Sequence, residues 1–292
     1  KKEGTQMNLA TQSYMPPPWL AYPEYERYSL GFRMGSGEDY LDRFAAWFDA
    51  LGEKEREAYR ARFPEPFTWA GWWDDEDKAA YLERGDFCIA IRNSDGAPQY
   101  TRALLGKQKL AGKKQKYCFF WGHQPAKDGS VTKSAFSQWW KAEFYGEGER
   151  FISAEQYMMA KKAELFGDAE HRAEILSARD PKRIKALGRE VRGFEEAVWQ
   201  RFRYAIVLNG NWLKFSQNRE LRDFLLSTGD KVLVEASPYD RVWGIGLAEY
   251  EEAAENPLKW KGDNLLGFAL TEVREELKRV TAQEALCDFK LV

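Results

Sequence analysis

The sequence predicts an α+β fold: a mainly helical body around a small sheet, preceded by an aromatic-rich helical N-terminal region. Three observations lead there. Apolar residues recur at three- and four-residue steps, as at Tyr40, Phe44, Trp47, Phe48 and Leu51. Short apolar runs at Phe87–Ile91, Tyr117–Trp121 and Val232–Val234 have strand length. No internal repeat is visible, and several helices gather around these few strands.

The 292 residues allow one large domain or two small ones. An aromatic load of 12 Trp, 14 Tyr and 18 Phe excludes wholesale disorder. With 44 Lys+Arg against 46 Asp+Glu, a basic nucleic-acid coat is excluded, though a local patch is not. Cys88, Cys118 and Cys287 are far apart and form no C-x-x-C, so they read as free, mostly buried thiols in a reducing compartment. Only His123 and His171 join them, without a zinc-ligand spacing, so neither metal nor cofactor is expected. No apolar run approaches the ~20 residues of a membrane span. The polar start, Lys1 to Gln6, lacks a signal peptide's apolar stretch, and Met7 is a candidate native start. The expected location is the cytoplasm, with no membrane contact.

The first dozen residues read as flexible, and Pro16-Pro17-Pro18-Trp19 as a stiff, surface-packed arm. Helices follow over Asp39–Leu51, ended by Gly52, and over Glu53–Phe63, ended by prolines. Asp74 to Asp77 reads as the acidic start of a further helix. Phe87–Ile91 is a strand, followed by turn chemistry at Asn93 to Gly96. Arg102 to Lys116 carries six cations and no anion, which suits a solvated linker or a phosphate-contacting arm. The domain boundary is expected here, dividing residues 1–112 from 113–292.

Beyond it, Tyr117–Trp121 is a strand, and a turn at Gly146 to Gly148 leads into Arg150-Phe151-Ile152. Ser153 and Gln156 form a capping box for a helix over Ala154–Phe166. Asp180-Pro181 opens another helix. Phe194–Leu208 and Trp212–Ser227 read as two helices separated by Asn209-Gly210-Asn211. Val232–Val234 is a buried strand, Val242–Leu247 extends again, and Asn264–Arg279 is the last helix.

Three places carry candidate chemistry. Glu155 and Lys162 lie seven residues apart and share a helix face within about 20°, among Met158, Met159 and Phe166. Apolar surroundings shift the pKa values of a carboxylate and an amine. The alternative is a dipole-serving Glu155 and a snorkelling Lys162. Glu235 to Gly246 presents Asp240 after a proline turn, with Trp243 as a stacking face and glycines allowing close approach. This stretch also suits a purely structural turn. Lys214-Phe215-Ser216-Gln217-Asn218 groups polar side chains around an aromatic.

The order of these segments is more specific than any one of them. Ala135-Phe136-Ser137-Gln138, Ser153 to Ala163, Leu165 to Asp168, Leu187-Gly188-Arg189, Lys214 to Asn218, Ser237 to Gly246 and Asn264-Leu265-Leu266-Gly267 follow one another. From about Tyr117 to Lys278 the chain resembles the NADAR, or YbiA-like, family; residues 1–112 carry no such likeness. The resemblance implies an α+β N-glycosidase. Its implied substrate is ADP-ribose on the amino group of guanine in nucleic acid, or a ribosylamino-pyrimidine phosphate of riboflavin biosynthesis. A non-catalytic module binding ADP-ribose or a nucleotide is the remaining alternative.

By the same resemblance the functional acid falls on Glu155, the helix lysine on Lys162 and the Asp on Asp240. Substrate contacts fall on Phe136, Ser137, Gln156, Arg189, Lys214, Gln217, Asn218, Trp243, Gly244, Ile245 and Gly246. A glycosylamine opens to an imine, so a neutral Lys162, with Lys214 as runner-up, can hold the sugar as a Schiff base while Glu155 moves protons. Direct hydrolysis by Glu155 and Asp240 is the alternative route. DNA or RNA is the expected macromolecular partner, and residues 1–112 a candidate surface for a protein partner.

Overall fold

The computed structural model describes residues 13–292. The flexible start expected for the first dozen residues lies outside them. Helices α1 (Pro18–Ala21), α2 (Ser36–Ala50) and α3 (Glu53–Arg62) lead to the hairpin β1 (Ala80–Arg84) and β2 (Phe87–Ile91). Then come α4 (Arg102–Leu110), β3 (Tyr117–Phe120), β4 (Phe144–Gly146), β5 (Glu149–Phe151) and α5 (Ala154–Leu165). The chain continues through α6 (Ala169–Ser177), α7 (Pro181–Glu190), α8 (Glu196–Gln217), α9 (Arg219–Ser227), β6 (Val232–Glu235) and α10 (Leu265–Val280).

Three two-stranded sheets result: antiparallel β1–β2 and β4–β5, and parallel β3–β6 with Tyr117 opposite Val232 and Phe120 opposite Glu235. The parallel pair is apolar up to its last residue, Glu235, because it is covered on both faces. Its free edge is closed by side chains of α10 and its cap rather than by a third strand. Asn264 Nδ2 donates to the Leu233 carbonyl at 3.0 Å and its Oδ1 accepts from Glu235 N–H at 2.9 Å. Thr271 Oγ1 accepts from Leu233 N–H at 3.1 Å. Gly267 permits this approach, since a Cβ there would lie 2.3 Å from the Leu233 oxygen.

Two apolar clusters form. The smaller joins Tyr14, Met15, Trp19, Phe32, Tyr40, Phe44, Tyr59, Phe63 and Trp69. The proline segment is therefore part of a buried aromatic core, not a surface arm; Tyr59 O–H donates to the Met15 carbonyl at 2.6 Å. This cluster is clamped to α10, where Glu276 Oε1 accepts from Phe67 N–H and Arg279 Nη2 donates to the Glu65 carbonyl. The larger cluster contains Leu82, Phe87, Ile89 and Leu105 together with residues 118–280. The boundary expected near residue 112 thus falls inside one packed unit, because the β1–β2 hairpin lies against α8.

Several local expectations change. The acidic run is not a helix start: Lys78 pairs with Asp74 and Glu76, Asp75 adopts φ 55°, and the chain enters β1. The basic stretch is not an extended linker. Thr101 Oγ1 accepts from Leu104 N–H and starts α4, and Arg102 and Lys109 donate to the Trp260 and Glu255 carbonyls. Asn209-Gly210-Asn211 does not break α8. Both Asn side chains donate to carbonyls one turn back, Ala205 and Val207, and Gly210 packs on the Tyr157 ring. Val242–Leu247 forms turns, with Ile245 N–H donating to the Glu235 carbonyl. All three thiols are free, but Cys88 is exposed rather than buried. No helix of the described residues is long and apolar enough to cross a membrane.

Candidate active site

The parallel β3–β6 pair sets the site, because the loops after its carboxyl ends open on the same side. After β3 come the exposed Trp121 and His123; β6 ends on Glu235, and Tyr239 and Asp240 follow it. The Trp121 and Tyr239 rings lie 6.3 Å apart, and the His123 and Trp139 rings 6.0 Å apart. Lys185 of α7 places its ammonium 5.1 Å from the Trp139 ring centre.

Glu155 lies in the first turn of α5, which Ser153 caps by accepting from Gln156 N–H. The Glu155 N–H donates to the Gln138 carbonyl at 2.9 Å. Gln138 is held in turn by Asn211 of α8, whose Nδ2 donates to Gln138 Oε1 at 2.9 Å. The Glu155 carboxyl makes no hydrogen bond or ion pair among the described residues, and the residue is only 6% exposed. Burial pushes its pKa up to about 7; Asp240 adds to that, while Lys185 and Arg189 oppose it. The position at a helix start favours the anion, and burial outweighs it.

Asp240 is shaped by its own loop. Its Oδ1 accepts from Val242 N–H at 2.8 Å and Trp243 N–H at 2.7 Å, and neither bond uses the second oxygen. Gly244 is required here, since a Cβ would lie 2.9 Å from the Glu235 oxygen. Glu235 is the third acid. Burial, then Asp240 and Glu155, push it up to about 8, and its Oε2 is buried without a partner. Asp240 thus acts on both Glu155 and Glu235, and the exposed cations Lys185 and Arg189, on successive turns of α7, act on Glu155 in the opposite sense. Such a set has the chemistry to donate a proton, orient a water and bind an anion.

Of the residues expected at the site, Glu155, Asp240, Arg189, Trp243 and Gly244 come together. Lys162 does not pair with Glu155. Its ammonium donates to the Gly188 carbonyl at 2.7 Å and lies 4.3 Å from the Phe194 ring centre, and burial lowers its pKa. Lys214 is 0% exposed and donates to the Ala135 and Ser137 carbonyls at 2.6 and 3.0 Å; burial lowers its pKa to about 7. It holds the loop beneath Gln138.

Gln156 accepts from Ile152 N–H and donates to the carbonyls of Ile175, Leu176 and Ala178, closing the end of α6. Gln217 exchanges two hydrogen bonds with the Tyr145 backbone, and Asn218 donates to the Glu143 and Lys214 carbonyls. Phe136 and Ile245 are fully buried, Ser137 Oγ accepts from Trp139 N–H, and Gly246 takes φ 67° in the turn. These residues build the scaffold. Sequence reasoning gave no role at the site to Lys185, Trp121, His123 or Trp139, and none of their own to Glu235 and Tyr239, which lie in the stretch it singled out. Glu235 left a signal, as a carboxylate closing an apolar strand before a proline turn.

The chain is similar to several known proteins. N-glycosidase R617 of Acanthamoeba polyphaga mimivirus is 47% identical over 166 residues, 55% of this chain and 96% of that protein. Protein irg-1 of Caenorhabditis elegans is 39% identical over 130 residues, 44% of this chain and 61% of its own. N-glycosidase YbiA of Escherichia coli K12 is 30% identical over 131 residues, 45% of this chain and 73% of that protein. The NMR structure of the Escherichia coli YbiA protein aligns at a TM-score of 0.47 with 24% identity, covering 59% of this chain and 90% of that one. The NADAR domain itself is matched over residues 119–278, from the middle of β3 to the last turn of α10, and by that match the chain belongs to the NADAR family.

Proposed function

We propose that this NADAR-family N-glycosidase removes ADP-ribose from the amino group of guanine in nucleic acid. The observation that carries the reading is Glu155: a nearly buried carboxyl raised to about 7, between two further acids and two cations. A group of that pKa is protonated enough to act as a general acid near neutral pH. Lys185 and Arg189 supply charge for a diphosphate, Trp121 and Tyr239 supply exposed faces for bases, and half-buried Trp139 lies beside them.

The proposed step is direct hydrolysis. Glu155 gives its proton to the guanine amino nitrogen as the C1–N bond breaks. A water oxygen bonds to C1 and passes one proton to Asp240. The products are ADP-ribose and the unmodified base, and the proton returns from Asp240 to Glu155 through solvent. Glu235, kept protonated beside them, limits the negative charge of the cluster. A lysine Schiff base on Lys162 is the other route. Direct hydrolysis is preferred because both candidate lysines are committed to backbone carbonyls.

The test is incubation of the full chain with an ADP-ribosylated guanine oligonucleotide, and separately with a ribosylamino-pyrimidine phosphate, followed by mass spectrometry. Release of ADP-ribose with restoration of the oligonucleotide mass is expected. Turnover of the pyrimidine phosphate alone would replace the substrate, and binding of ADP-ribose without turnover of either would make the chain a sensor.

A further inference from the structure

A large cavity of the described residues lies away from Glu155. It holds about 800 Å³ and lies between the N-terminal region and the main body. Its aromatic walls come from both sides, with Tyr25 and Trp69 from one and Tyr81, Tyr157 and Trp212 from the other. No member of the Glu155, Asp240 and Glu235 group lines it. Tyr157 is two residues from Glu155 on α5, about 200° around the helix, so α5 separates the two places.

The polar lining is acidic. Glu24, Glu26 and Glu147 face this space, against Arg27 alone of the cations lining it. Arg27 is committed: Nη1 donates to the Ala70 carbonyl at 3.2 Å and its guanidinium lies over the Tyr28 and Trp72 rings. Beneath the cavity, buried Lys161 donates to Glu147 at 2.6 Å and to Glu164 at 3.2 Å. Glu24 and Glu26 form no ion pair among the described residues, and burial together with Glu147 pushes Glu26 up to about 7. Glu147 itself holds φ 52° in the β4–β5 turn, where Asn or Asp is the usual residue.

We propose that this cavity binds a small organic cation with an aromatic or apolar body, its charge met by Glu26 and its body by the surrounding Tyr and Trp rings. Volume, aromatic lining and a carboxylate without a counter-ion agree on that class: the space suits a drug-sized molecule, and aromatic faces attract cations. A purely apolar ligand would leave Glu26 without an ion pair, and an anion would face Glu24 and Glu26, since Lys161 is already engaged by Glu147 and Glu164. The N-terminal region then has a ligand-binding role separate from N-glycoside hydrolysis.

Cys88 lines the cavity and is the exposed thiol among the three, so its alkylation reports occupancy. The full chain is labelled with N-ethylmaleimide at fixed pH, and the rate at Cys88 is read by peptide mass against free glutathione in the same solution, which corrects for maleimide consumed by a probe. The probes are benzamidine and phenethylamine, each paired with its neutral counterpart, benzamide or 2-phenylethanol. The cations should slow Cys88 labelling at concentrations about tenfold lower than their neutral counterparts. Glu26→Gln should remove that difference without changing hydrolysis at Glu155. Equal protection by cation and neutral partner, protection by neither, or an undiminished preference in a folded Glu26→Gln chain would overturn the proposal. The wild-type comparison decides the matter alone if that variant fails to fold.

Discussion

Asn211 in the middle of α8 holds Gln138 from behind: its Nδ2 donates to Gln138 Oε1 at 2.9 Å, and the Gln138 carbonyl receives the Glu155 amide at 2.9 Å. The acid is thus positioned by a buried bond from the longest helix. Asn211→Ala should cost about 2 kcal/mol by leaving buried polar groups unpaired. It should also lower kcat more than it raises KM, because Glu155 loses its support. Thermal melts and steady-state kinetics check both, and an unchanged kcat would show that the bond serves stability alone.

Glu155→Gln should abolish turnover, by about 10²–10⁴-fold, while leaving the melting temperature close to wild type. The carboxyl has no protein hydrogen bond to lose, and the amide is of the same size. Turnover near the wild-type rate in a folded variant would remove Glu155 from the reaction.

The pH dependence follows from the same group. A carboxyl raised to about 7 is the proton donor below that value and a carboxylate above it. The rate kcat/KM should therefore fall tenfold per pH unit on the alkaline side of about 7. A profile flat from pH 6 to 9 would contradict an acid role.

Borohydride added during turnover should leave the protein unlabelled, since direct hydrolysis forms no imine. Peptide mapping makes this decisive. A sugar on Lys162 would require that lysine to leave the Gly188 carbonyl, and a sugar on Lys214 would require the loop over Ala135 and Ser137 to open.

The cations of α4 and the turn after it bear on the substrate. Lys107, Lys113 and Lys114 are exposed, whereas Lys109 is bound to the Glu255 carbonyl. They precede the amino end of β3, about 13 Å of strand away from the loops that carry the site. Lys107, Lys113 and Lys114→Gln should raise KM for a modified oligonucleotide and flatten its salt dependence, with little change for the ADP-ribosyl-guanosine monomer. An equal response of the two would make this stretch a solvated surface.

Local chemistry was legible in the sequence. Ser153, Asp180 and Thr228-Gly229 mark helix ends where the structure has them, and the apolar runs at Phe87, Tyr117 and Val232 are strands. The ordered segments from Phe136 to Gly267 identify the family. What each polar residue does was decided only by tertiary structure. Asn209-Gly210-Asn211 has the composition of a turn, yet it continues α8 because its side chains find carbonyls within the helix and partners at Ala90 and Gln138. Lys162 and Glu155 share a helix face, but α7 offers Lys162 a carbonyl and Glu155 two cations. Lys214, Gln156 and Gln217 have the chemistry of ligand-binding groups and are spent on the backbone. Periodicity reports which face a residue occupies; the partner it meets there comes from residues tens to hundreds of positions away, and only packing brings them together. The acidic cavity has the same origin, since its two walls are distant in the chain and meet only in the folded protein.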